Sequence, residues 1–163
     1  MADPDDKLMD MVDALVEDLT AAVAAGEFSL EFTPAWSDDA LTVLDDAALT
    51  SPQLLAIDSA EELPEASGQS SVPIEEFEIL LVAQRKFAKE GGGTLTEAER
   101  KTACRSMSAM ASEIARHCRK TTILDCTCVS VKRETAKNID RYHNEGLYLA
   151  PILTTWRRMY DDE

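Results

Sequence analysis

Leu8, Met11, Val12, Leu15, Leu19 and Val23 recur at intervals of three and four residues along the start of this chain. That spacing places them on one stripe of a 3.6-residue period and predicts an amphipathic helix over Lys7–Ala24. Asp5, Asp6 and Asp10 crowd its first turn, where the helix dipole favours negative charge. Gly26 follows the last periodic position and suits a left-handed cap. The period then drops to two. Phe28, Leu30 and Phe32 alternate with Ser29, Glu31 and Thr33, which predicts a half-buried strand that Pro34 stops or leaves at an edge.

Between Ser37 and Ser51, four aspartates interrupt the apolar positions, and the expectation is a loop with one helical turn at most. Gln53–Asp58 is a short apolar run that predicts a second strand. Residues 59–73 are polar, with two prolines and a glycine, and read as a long strand-to-strand loop. Ile74–Phe87 loses strict alternation at Ile79-Leu80-Leu81-Val82-Ala83, as a central strand covered on both faces would. The three glycines at 91–93 read as a hinge. No lysine–serine pair follows them, so a phosphate-cradling loop is not expected there.

Thr96-Glu97-Ala98-Glu99 has the form of a capping box, in which a hydroxyl and a carboxylate meet orphan amides of the first turn. Behind it Ala103, Met107, Met110, Ile114 and Cys118 form an apolar stripe, and Arg116, Arg119 and Lys120 fall in the last turn. The prediction is a long central helix over Thr96–Lys120. A strand over Cys126–Glu134 follows, then a polar connection over residues 135–146 and a last strand over Leu147–Tyr160. In that strand Arg157 and Arg158 project to opposite faces, and Pro151 marks a bulge or an edge. The expected fold class is α+β: a small mixed, mostly antiparallel sheet packed by an N-terminal helix and one long central helix. The expected organisation is a single domain over 1–163, with an acidic arm at 1–6.

Charge sharpens this picture. Residues 1–65 carry 17 acidic side chains and one basic, a net of −16, whereas residues 66–163 carry 14 acidic and 15 basic, a net of +1. An acidic first half opposes non-specific binding to phosphate-lined nucleic acid. No apolar run approaches the ~20 residues that span a bilayer. The acidic N-terminus lacks the basic and apolar regions of a signal peptide, so a cytosolic setting with reduced cysteines is expected.

The candidate chemistry is sparse. Cys126, Cys128, Cys118 and His117 have the right ligand types for a tetrahedral metal site. They lack a zinc-knuckle spacing, and core packing of the thiols is the expected role. Asp38, Asp39, Asp45 and Asp46 offer carboxylate pairs without an apolar wall to raise one pKa, so solvated loop acids are expected. No catalytic residue, metal ligand or cofactor is assigned. Trp36, Phe87, Trp156, Arg157 and Arg158 are the interface candidates, since aromatic rings and guanidinium groups suit partner contacts, with the two tryptophans read as core or interface anchors.

The ordered segments "LVEDLTAAVAAGEFSLEFTPAW", "EEFEILLVAQRKF", "SEIARHCR", "CVSVKRE" and "LAPILTTWRRMY" resemble, in order and character, the tail terminator and tail-completion proteins of long-tailed bacteriophages and prophage-like elements. The similarity runs from about Leu15 to Tyr160. It implies a small α+β protein without an active site, self-assembled as a ring, commonly a hexamer. The ring would cap the tail tube and join it to the head or neck connector, placing the chain in the virion after synthesis in the host cytoplasm. The genome would pass through without specific binding, and Asp38, Asp39, Asp45 and Asp46 would line either the lumen or the outer rim. An acidic DNA-mimic inhibitor, or another phage interaction protein, is the alternative that the −16 half suggests.

Overall fold

The computed structural model describes residues 4–37, 52–58, 74–86, 95–133 and 147–159. Among them run, in order, α1 (Pro4–Ala24), β1 (Thr33–Trp36), β2 (Gln53–Asp58), β3 (Ile74–Lys86), α2 (Glu97–Lys120), β4 (Thr122–Ile123), β5 (Cys126–Arg133) and β6 (Leu147–Met159). The strands form one sheet in the order β1-β2-β3-β6-β5-β4. Only β1 and β2 pair in parallel; every other pairing is antiparallel. The fold is α+β, a mixed, mostly antiparallel sheet carrying two helices.

Both helices lie on one face. α1 packs mainly on β1 and β2, and α2 on β5 and β6. The period-two rule decides what they cover. On β3 and β6 the paired positions Phe77 and Trp156, Ile79 and Thr154, Leu81 and Ile152, and Ala83 and Ala150 all face the helices. They meet Met11, Val12, Leu15 and Leu19 of α1 and Met107, Met110, Ile114 and Cys118 of α2. Burying an aliphatic side chain of this size stabilises the fold by roughly 1.5–3 kcal/mol. Trp156 is 0% exposed and donates its indole N–H to Thr154 Oγ1 at 2.9 Å; Thr154 in turn donates to Ile79 O at 2.8 Å. The opposite face buries a second, smaller cluster of Leu55, Ile57 and Val82, with Ala35, Leu80 and Leu149 against it. Burial on both faces is why β3 loses alternation in its centre.

The ends of the helices follow their local chemistry. α1 begins at Pro4, so half of the expected acidic arm is helical; proline is tolerated in the first turn because its missing N–H has no intrahelical partner there. Gly26 closes α1 at φ 75°, with Gly26 N–H to Val23 O at 3.0 Å and Glu27 N–H to Ala22 O at 3.1 Å, a Schellman arrangement. Thr96 caps α2, accepting from Glu99 N–H at 3.2 Å and donating its hydroxyl to the Glu99 carboxylate at 3.1 Å.

Several boundaries differ from expectation. The alternating run Phe28–Phe32 forms no strand; the ladder starts at Thr33. Phe32 is nonetheless buried and Phe28 and Leu30 are partly buried, because an extended segment alternates its side chains whether or not a neighbour pairs with it. Thr33 N–H bonds Pro52 O and Ser37 N–H bonds Ala56 O, so odd-numbered residues of β1 face β2 and Pro34 faces outward. β4 was not expected, and a two-residue turn with Leu124 at φ 46° and Asp125 at φ 64° joins it to β5. Pro151 lies inside β6, opposite Val82, just beyond the last β5 pair, Arg133 with Ile152. The bulge sits elsewhere, between Cys128 and Ser130 of β5. Residues 38–51, 59–73, 87–94 and 134–146, where the sequence predicts loops, a hinge and a polar connection, fall outside the described residues.

Candidate interaction surfaces

The outer sides of the two helices differ in charge. Asp10, Asp13 and Glu17 of α1 are exposed at spacings of three and four, opposite the buried stripe, and form an acidic ridge. On α2 the exposed stripe carries Lys101, Arg105, Arg116 and Arg119, with Lys120 beside it. At its start Lys101 is paired with the exposed Glu97 at 2.9 Å, whereas the acids farther along are turned between the helices. Glu113 accepts from the Ser29 hydroxyl, and from Ser29 N–H at 3.1 Å. Asp18 binds His117 Nε2 at 2.7 Å, and Glu27 lies 3.7 Å from His117 Nδ1. Arg105, Arg116, Arg119 and Lys120 form no ion pair with a described residue. Arg133 of β5 donates to Ser112 Oγ at 2.8 Å and to Ser108 Oγ at 3.4 Å, which extends the basic surface from the helix onto the sheet border.

Large apolar side chains reach solvent at three described positions. Trp36 is 46% exposed on β1, at one end of the sheet. Val129, at 46%, occupies the bulge of β5, and Leu124, at 49%, tips the turn between β4 and β5 at the other end. Arg158 donates to Leu124 O at 2.5 Å and lies 3.6 Å from the Asp125 carboxylate, which pins that turn. Beside it opens a cleft of about 300 Å³ floored by Met11, Phe77 and Cys126 and rimmed by Lys7, Asp10 and Arg158.

These positions sort the expected interface residues. Trp36 stands at an exposed edge. Trp156 does not, since its register opposite Phe77 sends the ring under the helices; it is a core residue, which removes it from the candidate interface. Arg157 and Arg158 do face opposite sides. Arg157 pairs with Glu76 on the face away from the helices, Nε at 2.7 Å and Nη2 at 2.5 Å from one carboxylate oxygen. Phe87, Asp38, Asp39, Asp45 and Asp46 lie outside the described residues. Of the α1 ridge only Asp10 was legible, as a first-turn acid, and the inward turn of Glu113 and His117 left no local trace, because their partners are 84 and 99 residues away.

The four residues of suitable ligand type, for which core packing of the thiols was expected, converge only in part. Cys126 and Cys128 lie toward the helices, Cys118 is buried, and His117 is held by Asp18. Burial pushes the Cys118 thiol up to about 12, with Cys128 and Asp18 adding to the effect. Burial also raises Cys128, against the hydrogen bonds from Ser130 and Thr155 and the nearby Arg119. A protonated thiol is a poor ligand and a poor nucleophile. Among the described residues no three His, Cys, Asp or Glu side chains are grouped to hold a metal ion.

No protein-family model matches the chain, and no curated protein is significantly similar to it. No helix of the described residues is long and apolar enough to cross a membrane.

Proposed function

We propose that this protein is a structural component of a long-tailed bacteriophage or prophage-like particle, a tail terminator that caps the tail tube as a ring and forms the joint to the head or neck. The observation that carries the reading is the placement of Trp36 at one end of an open sheet and of Leu124 and Val129 at the other. A subunit with two unlike apolar ends is suited to repeated heterologous contacts, which close into a ring when the rotation between neighbours allows it. The mixed sheet under two helices is the architecture that the family resemblance implies. Its thiols at Cys118 and Cys128 and its Tyr148 phenol are all shifted by burial away from their reactive, charged forms.

In this reading the protein does no bond-making chemistry and needs no cofactor. Its partners are further copies of itself, commonly six in a ring, the tail tube protein and the head–tail connector. The −16 half gives the genome no positive surface on which to arrest. The alternative, an inhibitor that mimics DNA, is opposed by the basic ridge of α2, which would repel the positive groove of a DNA-binding target.

Imaging of the native particle tests the reading. Antibody raised against the chain should decorate a single position where tail meets head, and particles lacking the chain should carry tails without heads. Decoration of another part of the particle, or none at all, overturns it.

A further inference from the structure

Each helix presents an exposed outer side, and the two sides are complementary in sign. The acidic ridge Asp10, Asp13 and Glu17 spans about 10 Å of helix, and the basic ridge from Arg105 to Arg119 about 21 Å, beyond the Lys101–Glu97 pair. We infer that the acidic ridge of α1 in one copy docks on the basic ridge of α2 in a second copy of this chain, side by side and head to tail. The inference builds on the proposed ring and names the surfaces that would join its subunits.

Three observations select this occupant. The first is charge. The ridges are opposite in sign, whereas a polyanion approaching α2 meets a chain with a net charge of −15. The second is position. α1 sits on the β1 half of the sheet and α2 on the β5 half, so neighbours standing side by side bring one ridge to the other. The third is apolar area. The same arrangement carries Trp36 of one copy to the border that exposes Val129 in the next, giving the contact an apolar centre with a charged rim. A face-to-face dimer through the helices would leave both side chains in water. Contacts between two α1 ridges would oppose like charges.

Charge exchange tests the inference with the purified full chain. One variant carries Asp13→Lys and Glu17→Lys, and the other carries Arg105→Glu and Arg119→Glu. All four positions are exposed, so both should keep the wild-type circular dichroism, the second with a slightly lower melting temperature because Arg119→Glu faces the carbonyl end of α2. Sedimentation velocity at low ionic strength should show wild-type species larger than a dimer. Each variant alone should lose them, with a dissociation constant raised at least ~10-fold. An equimolar mixture of the two should regain them, because every contact again joins opposite charges, and high salt should dissolve them. A wild-type chain that stays monomeric or stops at a dimer, variants that associate like the wild type, or a mixture that fails to recover, each overturns the inference. The phage reading is judged separately, by the position of the chain in the particle, and its failure would leave the sedimentation result standing.

Discussion

His117 in the last turn of α2 lies 2.7 Å from Asp18 of α1, Nε2 to Oδ2, and its ring packs edge-on against Phe28 at a centroid distance of 5.4 Å. The carboxylate accepts, so Nε2 carries the hydrogen. This contact ties the two helices across 99 residues of chain. The His117 side chain is 19% exposed and that of Asp18 36%, so water screens part of the bond. His117→Ala should lower stability by about 1 kcal/mol. Asp18→Ala should cost a similar amount, and the double variant should cost less than the two together, as read by urea denaturation.

A second prediction concerns the buried relay from Trp156 through Thr154 to Ile79 O. Thr154→Val keeps the shape and removes both bonds, stranding the indole N–H away from water. The expected loss is about 1–3 kcal/mol. Trp156→Ala should lose about 3–5 kcal/mol by opening a cavity. Denaturant midpoints measure both.

The thiols should report their surroundings. Under native conditions a thiol reagent should modify Cys104 and Cys128, which are partly exposed, well before Cys118 and Cys126, which are buried. Global unfolding should release all four. Cys118 is raised on folding from 9.0 to about 12, so the unfolded state loses its proton first as pH rises. Its contribution to stability is whole below pH 9 and declines through the interval up to about 12. The melting temperature should fall across that alkaline window, and Cys118→Ala should flatten the fall while lowering the plateau.

Gly26 supplies a fourth prediction. A Cβ added there meets nothing within 4 Å, so only the backbone opposes it at φ 75°. Gly26→Ala should cost about 1 kcal/mol, and Gly26→Asn less, since asparagine tolerates the left-handed region. Thermal denaturation separates the two.

How much was legible follows from which signals are local. The stripes of α1 and α2, the caps at Gly26 and Thr96, and the positions of β2, β3, β5 and β6 all derive from periods within a few residues, and each appears in the fold to within a turn or a residue or two. Phe28–Phe32 shows the limit: alternation reports burial, and a strand also needs a neighbour. β4 escaped because two residues hold no period and its turn, Leu124-Asp125, carries no glycine or asparagine to announce it. Arg158, 34 residues away, holds it in place. The two tryptophans make the same point for the surface. Trp36 and Trp156 are alike in type, and only the lengths and neighbours of their strands, four residues at an edge against thirteen near the centre, decide which one meets water.

Pro34 has a consequence for how this molecule avoids misassembly. Its nitrogen faces away from the rest of the sheet and has no hydrogen to give, so the outer border of β1 cannot complete a regular ladder with an incoming strand. Growth by endless strand addition, the route to fibrils, is blocked at that border. What associates there must be recognised by its side chains, so the angle between neighbours, and not a shared backbone ladder, sets where an assembly ends.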